Sequence, residues 1–187
     1  MKIITPHRIR SCQVTVPGSK SYTHRMLIAA ALADGASAVK NALISRDTLL
    51  TMHALRQMGI QITVNDTDVR VEGTGGCLAS CATPIDLGNS GTSMRLLAGV
   101  AALGEGTYTL TGNARMQKRP IQDLLDALQQ INVQARSVNG NGCPPVEVNG
   151  TKINGKQVEI NCQNSSQYLS ALILMAPLTP QGLDIQV

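Results

Sequence analysis

The sequence predicts a mixed α/β domain built from repeated βαβαββ units, and two observations lead to this fold class. A strand-like run, a polar turn and an apolar helix of about three turns occur together three times, near Pro17, Asn89 and Asn164. These stretches are spaced by about 70 to 75 residues, which is typical of internal repeats of one supersecondary unit. By the pattern of the first two units, we expect the third to lack its second helix and last two strands, within a single domain over residues 1–187.

The first unit is predicted from alternating polarity, helix periodicity and turn residues. Asp47 is a plausible N-cap for its second helix, and Gly59 is a plausible stop signal after it. The predicted elements are a strand at 13–16, a helix at 22–32, a strand at 38–41, a helix at 47–58 and strands at 61–64 and 68–72.

After a linker at 74–83, the second unit repeats this order. Pro120 at a first helical position and Asp123 in the first turn predict the start of its second helix. The predicted elements are a strand at 84–87, a helix at 91–102, a strand at 107–111, a helix at 120–131 and strands at 133–137 and 146–148. The third unit is predicted to have a strand at 157–160, a helix after Asn164 and a strand at 183–187.

The composition favours a globular domain that binds a small acidic ligand. Of the 187 residues, 43% are apolar and 15% are charged, and the formal net charge is +4. Phe and Trp are absent and only three Tyr are present, which disfavours proteins that stack nucleic-acid bases on aromatic side chains. The cations are dispersed along the chain, so we expect neither a nucleic-acid surface nor a membrane partner.

The N-terminus and the cysteines indicate a reduced, cytoplasmic location. The first twelve residues are basic without an apolar core, and no run approaches the ~18 apolar residues of a membrane span. The five cysteines contain no C-x-x-C pair, so we expect free thiols and neither a disulfide framework nor a metal site. They are Cys12, Cys77, Cys81, Cys143 and Cys162.

The stretch LGNSGTSMR at 87–95 has the pattern of an anion-binding helix start. The free N–H groups and the dipole of a first helical turn attract negative charge. Asn89, Ser90 and Thr92 offer hydrogen bonds, and Gly91 permits close approach. An ordinary helix cap would look similar, but the pattern recurs at 17–25 and 164–167, so the three turns are candidates to converge on one ligand.

Cations and hydroxyls accompany the other turns. Lys20, Ser21 and Arg25 lie at the first helix start, with Arg25 one turn below Ser21 on the same face. Such residues are also found as solvated surface charges, but their position beside the PGS turn favours an anion site.

A cationic loop, GNARMQKRPI, lies between a strand and a helix of unit two. It carries Arg115, Lys118 and Arg119, and Arg binds carboxylate or phosphate in bidentate fashion. The other interpretation of this loop is solubilising charge. In the third turn, Ser165, Ser166 and Gln167 are neutral groups suited to phosphate oxygens and hydroxyls.

Four segments, PGSKSYTHR, LGNSGTSMRLL, RMQKRPI and SSQYLSALILMAP, resemble the signature segments of the 5-enolpyruvylshikimate-3-phosphate synthase family, in the family's order and spacing. The resemblance covers essentially the whole chain. It implies an inside-out α/β barrel-like domain of the enolpyruvyl transferase type, one of two domains with the active site in the cleft between them. This chain would be most of the first domain.

The resemblance also implies residue roles. Lys20 would contact phosphoenolpyruvate, Arg115 would grip its phosphate or carboxylate, and Gln167 would lie between both ligands; these three are the expected catalytic residues. The phosphoenolpyruvate side would be lined by Asn89, Gly91 and Thr92, and shikimate 3-phosphate would be held by Ser21, Arg25, Ser165 and Ser166. Ser90 and Leu96 stand where many relatives have Ala and Pro, next to the site that glyphosate occupies in the family.

The implied reaction belongs to the shikimate pathway of aromatic amino-acid biosynthesis. The 5-hydroxyl of shikimate 3-phosphate adds to the enol carbon of phosphoenolpyruvate, and phosphate then leaves, without a cofactor or metal. The required carboxylates would come from a second domain or partner chain, so we expect this chain alone to bind shikimate 3-phosphate without turnover. The alternatives are a non-catalytic phosphosugar-binding module, a subunit of a split enzyme, or a transferase acting on UDP-N-acetylglucosamine.

Overall fold

The computed structural model describes residues 3, 5, 11–150 and 153–187. Its α-helices are α1 (Lys20–Leu32), α2 (Arg46–Gln57), α3 (Gly91–Ala101), α4 (Gln122–Gln130) and α5 (Gln167–Met175). Its strands are β1 (Asp34–Val39), β2 (Gln61–Asn65), β3 (Asp68–Thr74), β4 (Ile85–Asp86), β5 (Gly106–Thr111), β6 (Gln134–Ser137), β7 (Val146–Gly150), β8 (Gln157–Glu159) and β9 (Asp184–Gln186). Two single-turn 3-10 helices lie at Met116–Lys118, between β5 and α4, and at Ala176–Leu178, between α5 and β9.

The sheets confirm the internal repeat. Each unit forms a sheet of its own, with strand orders β1-β3-β2, β4-β5-β7-β6 and β8-β9. In units two and three, the strand before the first helix pairs in parallel with the strand after it, whereas the hairpin strands pair antiparallel. The first helix of each of these units is therefore the crossover of a βαβ element, with its N-terminus at the carboxyl end of the preceding strand.

The helices pack together and the sheets cover them. α3 contacts α1, α2 and α5, and the sheets of units one and two pack on α1 and α3 respectively. Leu, Ile, Val, Met and Ala supply nearly all of the core, together with the fully buried Tyr108 and Tyr168. Each fully buried Leu or Ile side chain contributes roughly 1.5–3 kcal/mol to stability. Nine residues of α3 are buried, so this helix lies at the centre of the domain.

The predicted strand at 13–16 is wrong. Residues 11–19 form neither helix nor strand, and the side chains of Val14 and Val16 are 73% and 70% exposed. By the pattern of units two and three, this strand would pair in parallel with β1. Alternating polarity produces a strand only where a sheet edge and an apolar surface are both available. The second edge of β1 is unpaired among the described residues, but Val14 and Val16 cover no apolar surface, as their exposure shows.

Two helix starts differ from the predicted ones. Ser45, not Asp47, caps α2: its side chain accepts from the backbone N–H of Thr48, whose hydroxyl accepts in turn from Ser45. The N-cap of α4 is Ile121, not the residue before Pro120: the Ile121 N–H donates to the carbonyl of Gly142 and its backbone, with φ -143° and ψ 2°, is not helical. The strand predicted at 38–41 lies at Asp34–Val39 instead: it begins four residues earlier and ends two residues earlier, since Asn41 turns with a φ of 52°.

Two further features concern the whole described chain. None of its helices is both long and apolar enough to cross a membrane. All five cysteines are free thiols, and burial raises the pKa of the Cys81 thiol.

Candidate functional site

A polar cavity of about 330 Å³ lies where the first turns of α1, α3 and α5 meet. It is lined by Lys20, Asp47, Asn89, Gly91, Thr92, Arg95, Arg119 and Gln167. The three turns therefore meet at one cavity, since each repeat contributes at least one of these residues.

The α3 N-terminus forms one wall of the cavity because of how β4 ends. The Leu87 N–H donates to Thr111 of β5, and Gly88 then turns the chain with a φ of 52°. The turn is closed by the Ser90 N–H, which donates to the Leu87 carbonyl at 2.9 Å. The following helix therefore starts with its free N–H groups toward the cavity, where they attract anions.

Three cations and one carboxylate surround this helix start. Lys20 Nζ lies 3.1 Å from Oδ2 of Asp47 at the mouth of the cavity. Arg119 donates from Nη1 to the carbonyl oxygen of Asn89 at 3.5 Å, and Arg95 stacks over the ring of Tyr168 at 5.5 Å. Because only one charge is neutralised, the cavity keeps two net positive charges beside a helix N-terminus, an arrangement that suits a multiply charged anion.

Gln167 joins the third repeat to the second. Its Oε1 accepts from Nη1 of Arg95, and its Nε2 donates to Oγ1 of Thr92, each at 3.0 Å. The amide therefore orients the Arg95 guanidinium toward the α3 N-terminus. The Asn89 Oδ1 is buried and has no hydrogen-bond partner among the described residues, so it remains available as an acceptor for a hydroxyl or protonated group.

A second polar cluster lies between α1 and α5. Arg25 donates to Oγ of Ser21 on its own helix and to Oγ of Ser170 at 2.9 Å across the helix pair. Ser170 donates in turn to the carbonyl of Ser166, whose side chain makes no capping bond, and Ser165 Oγ accepts from the Gln167 N–H. The cluster is thus continuous with the cavity through the first turn of α5.

The structure places Arg115 outside the cavity and Arg119 inside it. The backbone from Met116 to Lys118 forms a 3-10 turn anchored by the buried Met116 side chain. In a 3-10 turn, residues three apart point the same way, so Arg115 and Lys118 share the exposed side, and Arg119 leaves in another direction. Arg119 was the cation of this loop that sequence reasoning did not select for the site.

Sequence reasoning also missed Asp47 as a site residue, and it placed Arg95 at the end of the 87–95 stretch without assigning it a role. Asp47 follows the true N-cap, Ser45, and its carboxylate is therefore free of capping and able to hold Lys20. Arg95 lies four residues after Gly91, which places it one turn along the same face of α3. That spacing was a signal for including Arg95 in the site, whereas no local signal pairs Asp47 with a lysine 27 residues away.

A larger groove of about 730 Å³ lies on the outer face of the unit-two sheet, and its chemistry is different. Its cation, Arg136, is paired with Glu147 at 2.6 Å, and most of the other lining residues are neutral, among them Gln134 and Asn149. It therefore lacks the uncompensated positive charge of the smaller cavity. Within residues 11–150 and 153–187, no three His, Cys, Asp or Glu side chains cluster at metal-binding distance.

Comparisons with known proteins agree on one family. The sequence model of the family described as EPSP synthase (3-phosphoshikimate 1-carboxyvinyltransferase) matches residues 5–187. Relatives named 3-phosphoshikimate 1-carboxyvinyltransferase include one from Shewanella denitrificans, 41% identical over 94% of this chain, and one from Methanospirillum hungatei, 42% identical over 92%. Among solved structures, EPSP synthase from Acinetobacter baumannii superposes with a TM-score of 0.81 and 33% identity, over 89% of this chain and 38% of that one.

The match extends over only part of each relative. The chain spans 42% of the length of the Shewanella denitrificans protein and 40% of the Methanospirillum hungatei protein. The matched fold is therefore that of less than half of the relatives' length.

Proposed function

The chain belongs to the EPSP synthase family, and from this we propose that it supplies the anion-binding part of a 3-phosphoshikimate 1-carboxyvinyltransferase. The proposed reaction transfers the enolpyruvyl group of phosphoenolpyruvate to the 5-hydroxyl of shikimate 3-phosphate. The C–O bond forms at the enol carbon while a proton adds to the methylene. Loss of a proton and of phosphate from the resulting tetrahedral adduct then restores the double bond.

The observation that carries this proposal is the charge of the small cavity. Phosphoenolpyruvate brings a carboxylate and a phosphate within a few ångströms of each other. Lys20, Arg95 and Arg119 surround the uncapped N-terminus of α3, and this set can neutralise both groups at once. Asn89, Gly91 and Thr92 line the same wall. We assign phosphoenolpyruvate to this cavity, with Arg119 in the role that the sequence alone assigned to Arg115.

The cluster between α1 and α5 supports binding of shikimate 3-phosphate beside it. Ser21, Arg25, Ser165 and Ser166 offer a guanidinium and three hydroxyls within one or two turns of the cavity. Gln167 belongs to both places, because its side chain reaches Arg95 and Thr92 while its N–H reaches Ser165. In this proposal Gln167 lies between the two ligands and sets their relative orientation, which lowers the entropic part of the barrier.

Lys20 and Asp47 form the ion pair of the cavity. Asp47 holds the Lys20 ammonium at the cavity mouth, where it can donate a hydrogen bond to a ligand oxygen as well. The reaction also needs groups that protonate the methylene and deprotonate the hydroxyl. We propose that these come from a second domain, which would close the cleft over residues 1–187 as the first of two.

An acceptor assay on the whole protein tests the proposal. The protein encoded by the complete reading frame is incubated with phosphoenolpyruvate and either shikimate 3-phosphate or UDP-N-acetylglucosamine, and released phosphate is measured. We expect turnover with shikimate 3-phosphate. Turnover only with UDP-N-acetylglucosamine would show that this sugar nucleotide, and not shikimate 3-phosphate, is the acceptor. Tight binding of shikimate 3-phosphate without turnover would show that the protein is a binding module.

A further inference from the structure

A chain of buried side-chain hydrogen bonds runs behind the cavity through three helices. His24 Nδ1 of α1 lies 2.8 Å from Oγ1 of Thr51 on α2, and that oxygen lies 2.7 Å from Oγ of Ser93 on α3. Ser93 Oγ then lies 2.6 Å from Oγ of Ser90 and 3.4 Å from the carbonyl oxygen of Asp47. All four linked side chains are at least 99% buried. None of these four side chains lines the cavity.

His24 is the inner end of this chain. Its Nε2 is buried and has no hydrogen-bond partner within the part of the chain that the structure describes. Burial lowers the pKa of His24 from 6.5 to about 4, so the ring is neutral near pH 7. A neutral imidazole has one donor and one acceptor, and its Nδ1 is committed to Thr51 whichever tautomer is present. The ring is thus a fixed partner that holds the Thr51 hydroxyl in one orientation.

Ser90 is the outer end of the chain, and its position is unusual for its residue type. It occupies the N-cap of α3, where a Ser side chain commonly accepts from the backbone N–H of the second or third helical residue. Here the Ser90 hydroxyl makes no capping bond and is held by the Ser93 hydroxyl. The N–H groups of Thr92 and Ser93 have no acceptor among the described residues, and Thr92 lines the cavity.

We propose that His24, Thr51 and Ser93 are positioning residues that hold the Ser90 hydroxyl off the first turn of α3 and thereby keep its N–H groups available to a bound anion. The proposal rests on the proposed function in that the anion is taken to be phosphoenolpyruvate. The physical basis is a competition. A serine cap and an anion use the same N–H groups, so any change that frees the Ser90 hydroxyl places an internal competitor at the site.

The Ser93→Ala substitution tests this competition directly. It removes the partner of the Ser90 hydroxyl and leaves the backbone N–H of residue 93 in place as the nearest alternative donor. We expect amide hydrogen exchange at residue 92 or 93 to slow by about three- to tenfold, and phosphoenolpyruvate to bind more weakly by a similar factor. Affinity is followed by the shifts of the Gly91 and Thr92 amide signals in NMR titrations.

The double variant Ser90→Ala/Ser93→Ala is the decisive control. Alanine at position 90 cannot cap the helix, so wild-type exchange and affinity should return even though two hydroxyls are lost. If the double variant is as weak as Ser93→Ala, or if Ser93→Ala binds as the wild type does, the proposal is wrong. Should Ser93→Ala fail to fold, Thr51→Val frees the Ser93 hydroxyl while keeping the side-chain shape, and its expected effect has the same direction and the same rescue by Ser90→Ala.

Inorganic phosphate separates this inference from the proposed function. Phosphate binding at the Gly91 and Thr92 amides without phosphoenolpyruvate binding would contradict the proposed function. The effect of Ser93→Ala on phosphate affinity would still measure the competition between the Ser90 hydroxyl and an anion. Phosphoenolpyruvate binding that is insensitive to Ser93→Ala would contradict the inference alone. If the wild type binds neither anion, the exchange rates of the free protein still decide whether Ser90 caps the helix only after Ser93 is changed.

Discussion

Nη1 of Arg119 lies 2.7 Å from the point that a Cβ on Gly91 would occupy. A side chain at position 91 would therefore meet the guanidinium packed against the α3 N-terminus. Gly91→Ala should push the end of this flexible side chain aside without moving the backbone. We expect phosphoenolpyruvate to bind about tenfold more weakly, because one charge-assisted interaction loses its geometry. Calorimetric titration measures this, and shikimate 3-phosphate affinity in the same variant is the internal control. An equal loss for both ligands would indicate a general distortion of the domain.

Arg119 and Arg115 form a matched pair of test positions in one loop. Arg119→Ala should weaken phosphoenolpyruvate binding by roughly ten- to a hundredfold, the usual value of a charge-assisted hydrogen bond. Arg115→Ala should change it by less than about twofold, because the Arg115 side chain is on the exposed side of the 3-10 turn, where solvent and salt screen its attraction for the ligand. Both variants remove one positive charge, so the comparison cancels the effect of net charge. A larger effect at Arg115 would restore the assignment made from sequence.

Arg25 should be the main determinant of shikimate 3-phosphate binding by this chain. Arg25→Ala removes the guanidinium that joins Ser21 to Ser170, and we expect detectable binding to be lost. Lys118→Ala removes an exposed cation and should have little effect. Because the cluster is open to water, each charge interaction is worth about 1 kcal/mol and wild-type affinity should fall with added salt. NMR titrations at two salt concentrations measure both effects. Salt-independent binding, or binding retained in Arg25→Ala, would contradict this assignment.

His24 should make the stability of the domain depend on pH. Burial lowers its pKa in the folded state, opposed by Asp47 and assisted by Lys20 and Arg25, from 6.5 to about 4. Between these values the unfolded chain binds the additional proton, so the free energy of unfolding falls as pH decreases from 6.5 to about 4. The total loss from this group is about 3 kcal/mol. Above pH 6.5 the contribution is fully present and constant.

The His24→Asn variant isolates this contribution. Its amide can still bond to Thr51 and does not titrate, whereas the carboxylates of the domain are unchanged. Urea unfolding from pH 7.5 to 4 should show a steeper loss of stability in the wild type than in His24→Asn below pH 6.5. Parallel profiles would mean that His24 is protonated in the folded domain or titrates normally.

The repeat order, the helices and the three polar turns could all be predicted from the sequence, because they depend on local properties. Helix periodicity, small polar residues at helix starts and glycine stops are encoded within a few residues of where they act. Lys20, Gly91 and Gln167 were found this way, since each belongs to a helix start that repeats along the chain. The pseudo-symmetry of the units then required their first turns to share one end of the helix bundle.

Only the tertiary structure decided which charged side chains reach the cavity and which strands form. Arg115 and Arg119 are chemically equivalent in sequence, and the burial of Met116 in the 3-10 turn selects between them. The alternating residues at 13–16 lack a partner strand, and the hydrogen-bonded chain of His24, Thr51, Ser93 and Ser90 joins residues up to 69 positions apart on three helices. Local patterns specify where an element can start and end, but side-chain direction, strand pairing and buried hydrogen bonds depend on surfaces that exist only after the helices and sheets have packed.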